Sequence, residues 1–234
     1  MIEGKHPVRE LIKAGASIAK LYIQKGLHGF EDIVTGAKNL GAKIVIAEKR
    51  VMDKISETGK HQGVIAEAAA FEYSSLEDIL AVGEEGGRIV ILLDGIKDPR
   101  NLGSILRVAE CANVSGVVIP SRRSVEVNAT VVKTSAGASN HIKVAKVVNL
   151  NDAIRELKDN FFTVVAVELG GESIYKAKFS GDLALVIGAE DEGVSALTKK
   201  LSDKVVSIPQ HGKINSLNAS VAAGIAVFEI LRKR

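Results

Sequence analysis

The sequence predicts an α/β protein: a larger C-terminal part built on a parallel sheet, preceded by a small α/β/α sandwich. Three observations carry this. Residues 89–234 alternate short, continuous apolar runs with amphipathic stretches, the pattern of strands buried on both faces and of helices that cover them. Residues 1–70 repeat the alternation on a smaller scale. Between them, FEYSSLEDILAVGEEGGR (71–88) has a net charge of −4, against +3 before it and +4 after it, and reads as a linker around a short helix.

The elements follow in order. HPVRELIKAG is an amphipathic helix, IAKLYIQ a strand, FEDIVTGAKNLGA a helix ending near Gly41, and AKIVIAE a strand. RVMDKISET is a helix and QGVIAEAAA a strand, which completes a sandwich over 1–70 suited to a recognition module. Its GKHQG turn (59–63) is either an ordinary loop or a contact for RNA phosphate. Beyond 89, the expected strands are RIVILLD, GVVIP, IKVAKVV, FTVVAVE, LALVIGAE and DKVVSIP. Helices are expected near 102–112, 128–138, 150–159, 194–201 and 215–233. The last has an apolar stripe, Leu217, Val221, Ile225 and Phe228, expected to face the core.

Composition narrows the function. No run of 18 apolar residues exists, and Glu3 and Lys5 follow Met1 where a signal peptide would be apolar, so neither a membrane span nor a leader is expected. The single cysteine, Cys111, fits a reducing cytoplasm and is expected as a small core residue. A net charge of +3 is compatible with an RNA partner without pointing to one.

Parallel sheets bind ligands at the carboxyl ends of their strands, so the loops after the strands matter most. Three stand out. DPRNLGSILR (98–107) has a stiff, basic loop, with Asn101 where a helix cap belongs and Arg107 on the helix behind it. LVIGAEDEGVSAL (185–197) runs a strand into Gly188, where a ligand can approach the backbone, and then into Glu190, Asp191 and Glu192. IPQHGKINSLNASVA (208–222) leads through Ile208 to Ser216, Leu217 and Asn218 at a helix start. Each has an ordinary reading: a solvated arginine, an acidic turn, a capping amide. Neither G-x-G-x-x-G nor G-x-x-x-x-G-K-S/T occurs, which argues against a Rossmann or P-loop nucleotide site.

Taken together, DPxNxGxxxR, IGAExxG and IPxxGxxxSLNxSVA, in this order and at these spacings, resemble the three motifs of the SpoU (TrmH) family of RNA 2′-O-ribose methyltransferases. The segment 1–70, with EGKHPVRELI and HQGVIA, is similar to that family's L30e-like substrate-binding domain. The resemblance implies three regions: an RNA-binding domain over 1–70, a linker over 71–88, and a methyltransferase domain over 89–234 ending in a trefoil knot. S-adenosylmethionine would be held in the knot by Gly188, Ile208 and Leu217, with no metal. Asn101, Arg107, Glu190, Ser216 and Asn218 would form the catalytic site. The partner would be RNA rather than DNA or membrane, the chain a homodimer through the methyltransferase domain, and the target a guanosine of 23S ribosomal RNA. A tRNA enzyme of the same family and a non-catalytic RNA-binding protein are the alternatives. The latter would be expected to have lost Arg107 or Asn218.

A ribose 2′-hydroxyl is a weak nucleophile, so the reaction needs positioning and proton removal. No histidine or cysteine falls on a motif residue, which leaves Arg107. An arginine is effectively always protonated. Its two possible roles are therefore base, assisted by the substrate phosphate, or a group that positions and polarises the hydroxyl.

Overall fold

The computed structural model describes residues 1–83, 87–213 and 216–234. The GEEGG turn and the expected start of the last helix at 215 fall partly outside the described residues. Contacts divide the chain into two units, 1–72 with 128–137, and 73–127 with 138–234.

The smaller unit runs β1 (Ile2–Glu3), α1 (Lys5–Lys13), β2 (Ile18–Gln24), α2 (Glu31–Asn39), β3 (Lys43–Ala47), α3 (Lys49–Ile55) and β4 (Val64–Ala68). Its sheet has the order β1-β4-β2-β3, with β2 and β3 parallel and β4 antiparallel to both β2 and β1. Each helix turns one apolar edge to the sheet: Val8 and Leu11 from α1, Ile33 and Ala37 from α2, Met52 from α3. Short helix α6 (Ala129–Thr134) belongs to this unit by contact, although the alternation of elements groups it with 89–234; its Lys133 pairs with Glu10 of α1 at 3.5 Å.

The larger unit contains α4 (Leu76–Leu80), β5 (Ile89–Asp94), α5 (Pro99–Cys111), β6 (Gly116–Pro120), β7 (Val144–Val147), α7 (Leu150–Asp159), β8 (Thr163–Ser173), β9 (Leu183–Gly188), α8 (Ala196–Leu201), β10 (Lys204–Ser207) and α9 (Ala219–Lys233). Six parallel strands follow the order β10-β8-β9-β5-β6-β7. The central strands β5 and β9 are buried along nearly their whole length, which is why they read as unbroken apolar runs.

Four expectations need correction. The stretch 71–88 is more than a linker: α4, closed by a Ser75–Asp78 capping box, buries Leu76 and Ile79 in the core beside Val118 and Leu157. A side chain at Gly116 would overlap Ile79, so helix and strand are fitted to each other. Asn101 is not the cap of α5. Asp98 is, accepting from the Arg100 N–H at 2.8 Å with Pro99 in the first helical position, so the helix begins earlier and Asn101 sits inside its first turn. Cys111 is exposed, because it lies on the outer face of α5 with Arg107. The α9 stripe is not core either. Ala219, Ala223, Ala226, Val227 and Ile230 are buried, whereas Val221 and Phe228 stand 47% and 50% exposed. Small residues bring α9 close to its neighbours, Gly224 lying beside Val108 of α5, while Val221, Phe228 and Leu231 are turned outward.

Candidate active site

The carboxyl end of β9 and the middle of β8 open into a cavity of about 410 Å³. Gly188, Glu190, Ile208, Ser216 and Leu217 all line it, together with Val167 and Glu168. The two longer loops named from sequence are thus brought to one place, and the DPRN loop meets them at its edge.

The junction is a polar knot of three side chains. Asn101 Nδ2 donates to Glu190 Oε1 at 2.9 Å, and Asn218 Nδ2 donates both to that oxygen and to Asn101 Oδ1, the latter at 2.9 Å. Each comes from a different motif, and 117 positions separate the two asparagines. Asn218 does a second job. Its Oδ1 accepts from the Ser220 N–H at 3.0 Å and the Val221 N–H at 3.4 Å, capping α9. The Ala219 N–H also donates to Glu190 Oε1 at 3.3 Å, placing a carboxylate at the positive end of a 15-residue helix. Asn101 is 7% exposed, and such an amide needs partners, which it has here.

The amide groups of Asn218 are fully used by these bonds. Asn101 keeps one N–H, and Glu190 keeps Oε2, without a partner among the described residues. These are the groups left for a ligand. Beside the cluster lies a second hollow of about 200 Å³, lined by Gly95, Lys97, Asp98, Asn101 and Glu190.

The loop 188–195 is held rigidly. A side chain on Gly188 would run into the backbone of Gly193 and Val194, so only glycine fits. Ala189 N–H donates to the Asp94 carbonyl at 3.0 Å, and Ser195 N–H to the Asp94 carboxylate at 2.9 Å. Glu168 Oε2 accepts from the Val194 N–H at 2.7 Å. Neither Asp94 nor Glu168 is anticipated from the motifs. Asp94 ends β5 and Glu168 ends the apolar run within β8, and an acid directly after such a run is the signal that marks them.

Arg107 is the one residue that the structure does not bring into this cluster. It lies six positions along α5 from Asn101, nearly two turns on and about a third of a revolution round. It is exposed and has no partner among the described residues.

Comparison with known proteins fits this geometry. The SpoU rRNA Methylase family model matches residues 88–228, and the model for RNA 2′-O ribose methyltransferase substrate binding matches residues 1–74. A protein of Staphylococcus haemolyticus assigned to the TrmH family of tRNA/rRNA methyltransferases is 40% identical over 100% of this chain and 96% of its own length. The rRNA methyltransferase of Sinorhizobium meliloti, solved with S-adenosylmethionine bound, is 26% identical at a TM-score of 0.70, covering 98% of this chain and 85% of that one. The SpoU methyltransferase AviRb of Streptomyces viridochromogenes, also solved with S-adenosylmethionine, shares the fold at a TM-score of 0.72 and 21% identity, over 100% of this chain and 89% of that one. With the three motifs converging at the carboxyl edge of its sheet, this chain belongs to the SpoU rRNA methylase family.

Proposed function

We propose that this SpoU-family RNA methyltransferase transfers the methyl group of S-adenosylmethionine to a ribose 2′-hydroxyl, the target being a guanosine of 23S ribosomal RNA. The observation that carries the reading is the Asn101–Glu190–Asn218 cluster at the mouth of the cavity, which joins three motifs far apart in sequence.

The cavity suits the cofactor. Its volume lies within the roughly 300–1,000 Å³ of small-molecule sites. Val167, Ile187, Ile208, Leu217 and Ala222 offer an apolar wall for a nucleoside, while Glu168, Glu190 and Asp191 offer acceptors to a cationic amino acid and sulfonium. Gly188, Ile208 and Leu217 would hold it, in the knotted threading that the family implies. When bound, the cofactor supplies an activated methyl group.

The chain's own residues do the rest. Glu190 fixes both asparagine amides, and the remaining Asn101 N–H and Glu190 Oε2 orient the ribose, with Ser216 closing the site. Arg107, free on the outer face of α5, positions and polarises the 2′-hydroxyl in a fork shared with a substrate phosphate. A guanidinium stays protonated, so the hydroxyl proton would be relayed past that phosphate to solvent water, which takes it up as the O–CH₃ bond forms.

The outward stripe of Val221, Phe228 and Leu231 on α9 supports a homodimer through the methyltransferase part. No helix among the described residues is long and apolar enough to cross a membrane, and an RNA target places the proposed activity in the cytoplasm. The recognition domain over 1–70 favours ribosomal RNA over tRNA. The test is to incubate the purified chain with labelled S-adenosylmethionine and either ribosomal RNA or tRNA, then map 2′-O-methyl groups. Methylation of tRNA alone would replace the ribosomal reading.

A further inference from the structure

The reading above assigns the small domain to RNA but names no surface on it. We infer that the outer face of α3, with Lys49, Arg50 and Lys54, joins Lys60 to form a docking surface for the phosphate backbone of RNA. The inference rests on RNA being the substrate.

The inner side of α3 is fixed: Met52 is fully buried against Ala47 and Ile65, with Ile55 and Tyr22 packed around them. The outer side is cationic. Lys49, Arg50, Lys54 and Lys60 are all exposed, and none of their side chains has an ion pair or hydrogen bond among the described residues. The acids of the same stretch are tied off. Glu48 pairs with Lys25 at 2.9 Å, Asp53 with His61 at 3.0 Å, and Glu57 with the N-terminal ammonium at 3.6 Å. Four cations are left facing solvent with their nearest carboxylates engaged.

Their placement also works against the helix. Lys49 and Arg50 occupy the first turn, where the helix dipole disfavours positive charge, and the acid at that end, the N-cap Glu48, is paired with Lys25. Arg50 and Lys54 are a like-charged i,i+4 pair. A face kept only for solubility could have the same charges elsewhere without these two conflicts. Local rules broken without structural return are the mark of a site used for something else.

The turn that carries Lys60 is braced. The His61 ring is 6% exposed, its Nδ1 accepting from the Gly63 N–H at 3.0 Å and its Nε2 facing Asp53. Gln62, in the left-handed region at φ 51°, accepts from the Lys5 N–H at 3.2 Å. His61 is therefore a brace and Lys60 the contact. No Phe, Tyr or Trp belongs to α3 or to the turn, and the His61 ring is buried, so the surface offers no aromatic ring on which a base could stack. It fits the backbone of RNA and positions it without reading sequence.

The test uses the full chain and a labelled RNA hairpin of mixed sequence, with affinity measured across a salt series. One variant carries Lys49→Gln, Arg50→Gln and Lys54→Gln. A control carries Lys13→Gln, Lys38→Gln and Lys43→Gln, which removes the same charge from α1, α2 and β3. If three phosphate contacts are lost, the log–log salt slope of the first variant becomes shallower by roughly 2 to 3. The control keeps the slope of the parent, and the first variant keeps or gains thermal stability because its helix conflicts are relieved. Equal slopes and affinities for the two variants would overturn the assignment to α3. A parent chain that binds without salt dependence would also overturn the phosphate surface, whereas one that does not bind the hairpin at any salt concentration would overturn the RNA reading itself.

Discussion

At the scale of single residues, the site depends on Asn218 having two roles that substitution can separate. Asn218→Ser keeps an oxygen able to cap α9 but loses the amide that ties Glu190 to Asn101, so melting should change little while methyl transfer falls sharply. Asn218→Ala loses both. Cap removal costs roughly 0.5–2 kcal/mol, and the melting temperature should fall by about 2–6 °C, which calorimetry would register. Equal melting temperatures for the two variants would remove the capping role. Arg107 makes the opposite case. It is exposed, with no hydrogen bond or ion pair among the described residues, so Arg107→Ala should leave melting and cofactor affinity unchanged and lower methyl transfer by at least about 10²-fold. Arg107→Lys should recover little of it, because an ammonium lacks the planar fork. Away from the site, Glu3 accepts from Ser56 and Thr58 and from the Glu57 N–H, which holds its carboxyl at about 2, below the ordinary 4.5. A lowered folded-state pKa means a contribution to stability that is complete above about 4.5 and is lost as pH falls toward 2. Glu3→Gln should therefore flatten the acid limb of the stability curve over that window, read as melting temperature against pH.

At the scale of elements, the loop after β9 is the part least able to change. Gly188→Ala would press a methyl into the Gly193–Val194 backbone, an overpacking that costs roughly 1–3 kcal/mol. It should abolish cofactor binding by titration calorimetry even where the chain still folds. The element scale also separates what the sequence discloses from what it hides. The central strands β5, β6 and β9 were legible because a strand covered on both faces has no polar alternation to confuse it. The site loops were legible because glycine, acids and amides at strand ends have few structural uses. The α9 stripe misled, since an apolar face at helical spacing looks the same whether it meets the chain's own core or a second copy. Asn101 misled for a related reason: Asp98 and Asn101 both suit a cap, and Pro99 decides between them by fixing the first turn. Glu168 went unread because its partner, the Val194 N–H, lies 26 positions away. If the outward α9 face is a dimer seam, Phe228→Glu should turn a dimer into a monomer by light scattering at micromolar concentration. A parent chain already monomeric there would contradict the seam.

At the scale of the whole molecule, two compact units share the chain, and the break between them at 72/73 falls at the start of the acidic segment 71–88. Leu76 and Ile79 belong to the larger core, so a fragment beginning at residue 73 should melt well above one beginning at 89. Equal melting temperatures would mean that α4 adds nothing. The larger unit holds the cavity and the Asn101–Glu190–Asn218 cluster, and the smaller one presents the cationic α3 face. Sequence alone anticipates the two domains and the site loops, whereas the cationic face of α3 becomes visible only with the structure. The central claim is that the joined activity is 2′-O-methylation of RNA through that cluster. Its most direct test is to supply methyl-labelled S-adenosylmethionine and ribosomal RNA to the purified chain and to Asn218→Ser, then digest to nucleosides and identify the labelled product by mass spectrometry. The account predicts label on the ribose of a single nucleoside, 2′-O-methylguanosine, with the parent chain and at most about 1% of it with the variant. Label on a base, or equal label from both proteins, would contradict it.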